Sequence, residues 1–163
     1  MINLEKVIPR LAESKVAFVI VGGVAATVHG SAQVTFDLDI CYARDAGNLQ
    51  RLVNVLAPLH PRLRGAPGDL PFLWDTETLR RGLDFTLLTD WGDLDLLGEI
   101  AGVGGYQQAL AASVPVALFG VTCAVLSLPA LIVARRTAGR PRDLYSLPEL
   151  EALWEATRNA PEE

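Results

Sequence analysis

Residues 19 to 40 read VIVGGVAATVHGSAQVTFDLDI, and the order of features in this stretch restricts what the chain can fold into. The apolar run from Ala17 to Val21 has the composition of a buried strand. Gly22 and Gly23 end it and leave the backbone open, with no side chain in the way. VAATVH then reads as a short helix closed by Gly30. Residues 36 to 42, FDLDICY, alternate as a second strand, with Asp37, Asp39 and Cys41 on one face and Leu38 and Ile40 on the other. The two aspartates follow the second glycine by fourteen and sixteen residues.

The remaining chain supplies elements of both kinds. Leu4, Val7, Ile8 and Leu11 have helical spacing behind Asn3 as N-cap, with Pro9 expected to kink the helix. A helix is expected from about 46 to 57, with Leu49, Leu52, Val53 and Leu56 on one side. Residues 58 to 71 hold Pro58, Pro61, Pro67 and Pro71 with Gly65 and Gly68, and read as a loop. Residues 83 to 89 and 93 to 100 read as strands joined by a turn at Asp90, Trp91 and Gly92. GYQQALAA is a helix, and VPVALFG with VTCAVLS a further strand pair. Two closing segments, SLPALIVARRTAG and SLPELEALWEA, each begin like helices with a Ser N-cap and a Pro in the first turn. In the second, Ser146 and Glu149 have capping-box spacing. The expected architecture is α/β (α+β), a short mixed β-sheet flanked by helices with a helical C-terminal segment. One domain over 1–158 and a disordered tail at 159–163 are expected.

A chain of 163 residues with half its residues hydrophobic can bury a core without disulfides or a structural metal. Cys41 and Cys123 lie in apolar runs and read as buried free thiols more than as a disulfide. The long apolar stretches are broken by Gly120, Ser127 and prolines, so no membrane span is expected. No secretory leader is evident, which makes the cytoplasm the default compartment. The net charge of −5 argues against a broadly basic surface for nucleic acid. One local basic cluster exists, made of Arg135, Arg136, Arg140 and Arg142.

The polar residues of the opening stretch carry the chemistry. A Gly-Gly turn into a helix offers backbone N–H groups to a phosphate, a weak signal alone. Asp37 and Asp39, two apart on a strand, point the same way with Cα atoms roughly 6.5 Å apart. Carboxylates so placed on an apolar strand repel each other unless a cation compensates, and oxygen-only ligands suit Mg²⁺ or Mn²⁺. A third carboxylate from a neighbouring strand completes a two-metal site for phosphoryl transfer. GDLDLLGEI supplies it: Asp95 lies deepest in the strand, with Asp93 and Asp84 as alternatives.

VGGVAATVHG, TFDLDI and GDLDLLGEI in this order resemble the nucleotidyltransferase superfamily with the DNA polymerase β-type fold, especially its small single-domain members. LIVARRTAGRPRDLYSLPELEAL resembles the closing segment of small bacterial nucleotidyltransferases related to abortive-infection and toxin–antitoxin proteins. The resemblance covers most of residues 17 to 155. It implies that Gly22 and Gly23 cradle the triphosphate of an NTP, and that Asp37 and Asp39 hold Mg²⁺, or Mn²⁺, together with Asp95. Asp95 would also orient or deprotonate an acceptor hydroxyl that attacks the α-phosphorus and expels pyrophosphate. Ser31, Arg135 and Arg140 are further candidates for the nucleotide phosphates, with Thr35 and Arg142 beside them. Many relatives carry arginine at the place of Gln33 and lysine at that of Arg135. His29 reads as a helix-end residue more than a base, and Trp74, Trp91 and Tyr106 as packing residues more than base-stacking ones.

Three acceptors fit the resemblance: an RNA end, a partner protein of a toxin–antitoxin pair, and a small hydroxylated molecule. A homodimer or a cognate partner could complete the cleft of so short a chain, with Trp154 as a contact. The reading from another class is a non-catalytic nucleotide-binding or antitoxin-like module.

Overall fold

A computed structural model of the chain describes residues 1–161. In chain order the elements are α1 (Leu4–Glu13), β1 (Phe18–Val21), α2 (Gly22–Val28), β2 (Asp37–Tyr42), α3 (Ala46–Leu56), β3 (Arg62–Leu63), α4 (Thr76–Arg81), β4 (Phe85–Thr89) and β5 (Gly92–Leu97). α5 (Tyr106–Ala111), β6 (Ser113–Leu118), β7 (Val121–Leu126), α6 (Leu128–Ala138) and α7 (Pro141–Arg158) follow. The strands form one mixed sheet in the order β3-β4-β5-β2-β1-β7-β6.

The central strands take their places because their apolar residues require it. Phe18 to Val21 are buried throughout, and β1 sits between β2, antiparallel, and β7, parallel. β2 pairs in parallel with β5, so that Leu38 lies opposite Leu94 and Ile40 opposite Leu96. These four side chains are fully buried on one face of the sheet. Their neighbours in sequence therefore line the other face. One contiguous apolar cluster runs from Ile2 to Leu150 and includes both thiols, Cys41 and Cys123, which are free and buried. Burial raises both thiols, Cys41 to about 11.

Local chemistry sets the helix boundaries. Asn3 caps α1 through its side chain, which accepts from the N–H of Lys6, and the helix continues through Pro9 rather than ending there. Asp45 and Asp75 cap α3 and α4 in the same way. Ser127 caps α6, and Gly139 closes it in the left-handed conformation at φ 64°. Among the described residues no helix is long and apolar enough to cross a membrane.

Four expectations are corrected. Residues 58 to 71 are not all loop: residues 57–59 make a 3-10 turn, and Arg62–Leu63 form an edge strand against β4. A two-residue strand carries no readable alternation, which is why proline and glycine dominate its sequence signal. The capping box is not at Ser146 and Glu149. α7 begins at Pro141, with Arg140 in the N-cap place and the Asp143 carboxylate accepting the Arg140 N–H at 3.1 Å. Ser146 and Pro148 are thus inside one longer helix, because Pro141 supplies the favoured first-turn proline seven residues earlier. β5 ends at Leu97, short of residue 100, and Gly22 and Gly23 belong to the first turn of α2. α7 ends at Arg158 with Asn159 in the C-cap place, and residues 162–163 of the expected tail lie outside the described residues.

Candidate active site

The sheet register assembles the site. Arg64 follows β3 and donates its backbone N–H to the Thr86 carbonyl; Thr86 pairs with Asp95, Asp95 with Asp39, and Asp39 with Val21. One row across the sheet thus carries Arg64, Thr86, Asp95 and Asp39 and ends at Val21, with Gly22 next in the chain as the first residue of α2. Asp37 pairs with Asp93 one step away on the same face.

The carboxylates of Asp37, Asp39 and Asp95 each place an oxygen within 4.8 Å of the other two. Asp39 lies deepest. Its Oδ1 is buried and has no hydrogen-bond partner. Burial, followed by the charges of Asp37 and Asp95, pushes the Asp39 carboxyl up to about 8. Burial also raises Asp95, against the pull of Arg64, whose guanidinium lies 2.8 Å from its Oδ1. An orphaned buried carboxylate oxygen amid three converging carboxylates is a donor set that fits a hard divalent cation. Asp84 is turned to another task, accepting the N–H of Gly98, and Asp93 lies 3.6 Å from Arg64.

Gly22 is required by space. A Cβ there would lie 2.1 Å from Asp39 Oδ2, and the residue has φ 63°. The first turn of α2 thus presses against the carboxylate cluster with no intervening side chain. Val21, in the N-cap place, offers no side-chain acceptor, so the first-turn N–H groups have no cap. Gly23 is similarly close to Thr35, whose hydroxyl donates to the Asp37 carbonyl.

Two cavities meet at these carboxylates. The first, of about 380 Å³, holds Gly22, Gly23, Ser31, Gln33, Asp37, Asp39, Arg64, Asp95, Arg135, Arg140 and Arg142 in its walls. The second, of about 320 Å³, shares Gly22, Asp39, Asp95 and the three α6–α7 arginines, then extends over Leu97, Ile100, Leu131 and Ala134 to Asp84 and Glu99.

Of the nucleotide-site candidates, all five line the first cavity, several already engaged. Ser31 donates to Glu149, which also accepts the Ala32 N–H and so ties the segment before β2 to α7. Arg135 donates to Ser146 Oγ, and Arg140 pairs with Asp143 at 2.6 Å. Burial opposes ionisation of Asp143, but the bonds from Arg140 win and hold its carboxyl low. Arg136 points away to Glu151. His29 donates from Nε2 to the Leu126 carbonyl at the end of α2, which leaves it a structural residue. Trp74 donates to the Val53 carbonyl, and Trp91 lies under Lys6 and Arg10; neither lines the carboxylate cavities. Tyr106 also lies outside both.

Arg64 and Thr86 are the site residues that sequence reading misses. Arg64 sits among prolines and glycines at the sheet edge, and its only sequence signal is a basic residue two places after Arg62.

The same architecture occurs in solved structures of similar size. The lincosamide antibiotic adenylyltransferase LnuA, with lincomycin bound, superposes with a TM-score of 0.59 at 15% identity, over 92% of this chain and 95% of that one. The chain has the nucleotidyltransferase fold. A Thermotoga maritima protein assigned to the nucleotidyltransferases matches with a TM-score of 0.52 at 16% identity, over 98% of this chain and 97% of the other. No protein-family model and no curated protein matches the sequence.

Proposed function

We propose that the protein is a Mg²⁺-dependent nucleotidyltransferase that moves a nucleoside monophosphate from an NTP to a hydroxyl of a small molecule. The observation that carries the reading is the convergence of Asp37, Asp39 and Asp95 beside the uncapped first turn of α2, on a nucleotidyltransferase fold. Asp37, Asp39 and Asp95 would hold the metal, which when bound offsets charge on the phosphoryl oxygens.

The chain's own groups divide the remaining work. Gly22 and Gly23 leave room for phosphate against backbone N–H groups. Arg135, Arg140 and Arg142 add positive charge from α6 and α7 around the first cavity. The acceptor oxygen bonds to the α-phosphorus as the bond to the bridging oxygen breaks, and pyrophosphate leaves with that electron pair. Asp95, which lines both cavities, is placed to orient the acceptor hydroxyl or take its proton.

A small acceptor is favoured by the second cavity, which adjoins Asp95 and has apolar walls ending at Asp84 and Glu99. A net charge of −5 also disfavours an RNA end. LnuA, similar over nearly its full length, is a lincosamide adenylyltransferase. The test is pyrophosphate release from each NTP with Mg²⁺ and a panel of hydroxylated amines that includes lincomycin, followed by mass spectrometry of the acceptor. A nucleotidylated product that disappears with Asp39→Ala is the expected result. Turnover retained by Asp39→Ala would overturn the assignment.

A further inference from the structure

Arg64 is the cation that the carboxylate cluster already holds. Its guanidinium lies 2.8 Å from Asp95, 3.6 Å from Asp93 and 3.9 Å from Asp37, and it also donates to the Leu87 carbonyl at 3.1 Å. The side chain is partly enclosed, 29% exposed, and enters from the sheet edge on a backbone fixed by the Arg64–Thr86 bond. Arg64 also lines the cavity of Gln33, Gly22 and Gly23. Gln33 brings no charge to that cavity. Arg64 brings one from the segment that follows β3.

Two of the carboxylates that would hold the metal, Asp37 and Asp95, are also the anions that neutralise Arg64. Both cations cannot take the full benefit of the same oxygens. A guanidinium beside a carboxylate stabilises its charged form by about one to three pKa units, and a divalent ion must outcompete that interaction. Released from Asp95, a planar fork of N–H donors on the wall of the first cavity has the phosphate oxygens of a nucleotide bound there as its next anions.

We propose that Arg64 is a dual-role residue: it holds the charge balance of the carboxylates while the metal is absent, and turns to the phosphates of the nucleotide once the metal is bound. It thereby adds to the first cavity a positive charge from the segment after β3, in addition to the arginines of α6 and α7. The proposal rests on the metal and nucleotide reading above, and it makes a prediction that a purely structural ion pair does not. Removing the Arg64 charge shifts metal affinity and nucleotide affinity in opposite directions.

The experiment compares wild type, Arg64→Gln, Arg64→Lys and Arg62→Gln, each checked for folding by thermal unfolding. Free Mn²⁺ is counted by electron paramagnetic resonance in a titration without nucleotide. Binding of α,β-methylene-ATP in saturating Mg²⁺ is followed by calorimetry. Arg64→Gln is expected to bind Mn²⁺ about tenfold more tightly and the nucleotide analogue about tenfold more weakly, one pKa unit's worth of charge interaction in each direction. Arg64→Lys keeps the charge without the fork and is expected to lie between, which covers failure of the glutamine variant to fold. Arg62→Gln, whose partners are Asp90 and the His60 carbonyl, is expected to change neither. Mn²⁺ affinity unchanged or weakened in both Arg64 variants, with wild type binding Mn²⁺, would overturn the proposal and leave the metal assignment standing. Absence of Mn²⁺ binding in wild type and Arg64→Gln alike would overturn both.

Discussion

Replacing Asp39 by asparagine should make the metal-free protein more stable, by an amount that depends on pH. The Asp39 carboxyl is pushed up to about 8 from an ordinary 3.8 by burial and by Asp37 and Asp95. Between these values the native protein keeps a proton that the unfolded chain has released, so unfolding liberates a proton and stability falls as pH rises. The slope is at most about 1.4 kcal/mol per pH unit. From pH 4 to pH 7 the loss accumulates to on the order of 4 kcal/mol, less whatever Asp95 and Asp37 share of the same titration. Asparagine keeps the shape and removes the charge, so this slope disappears. The assay is urea unfolding followed by tryptophan fluorescence at constant ionic strength and in chelator, from pH 4.5 to 8.5. Wild type and Asp39→Asn should nearly coincide at the acid end and separate by several kcal/mol at the alkaline end. Saturating Mg²⁺ should flatten the wild-type curve, because a bound cation favours the ionised carboxylate. Parallel curves for wild type and Asp39→Asn in chelator would refute the reasoning, since they would mean that the cluster is no more costly folded than unfolded.

Gly22→Ala forces a left-handed alanine, about 1–2 kcal/mol, and crowds Asp39 Oδ2 at 2.1 Å. A total loss of about 2–5 kcal/mol is expected, with overpacking adding about 1–3 kcal/mol, read as a lower urea midpoint with unchanged slope. Asn48→Ala strips a fully buried amide that accepts from the Ala17 N–H and donates to the Ala17 and Ala43 carbonyls. Leaving these groups unpaired should cost about 1–3 kcal/mol by the same measurement. Glu149→Ala unties Ser31 and the Ala32 N–H from α7. It should raise KM for the nucleotide several-fold with kcat little changed, read from steady-state kinetics; equal loss in kcat would place Glu149 in the chemistry instead.

The chain's own order made much of this architecture readable. Strand propensity in Ala17 to Val21, the alternation of Asp37 to Tyr42 and that of Asp93 to Leu97 depend on nearest neighbours in sequence, and periodicity reports those directly. The Gly22 and Gly23 turn and the paired aspartates were legible for the same reason. The tie between Ser146 and Glu149 was misread because a local capping pattern recurs inside a helix that an earlier proline already starts. Trp74 and Trp91, near in sequence to the site strands, sit away from the cavities because Val53 and the α1 cations hold them.

Sequence by itself determined which residues could carry the charge: three aspartates on strands and a glycine pair between β1 and α2. Tertiary structure decided how that charge is balanced. Asp39 and Asp95 are 56 residues apart in sequence and become neighbours only through the parallel register of β2 and β5. Arg64 reaches them only because a two-residue strand pairs at the sheet edge and places it beside Thr86. No local pattern encodes that pairing, since strand register is fixed by burial of the opposite face, where Leu38, Ile40, Leu94 and Leu96 leave no alternative alignment.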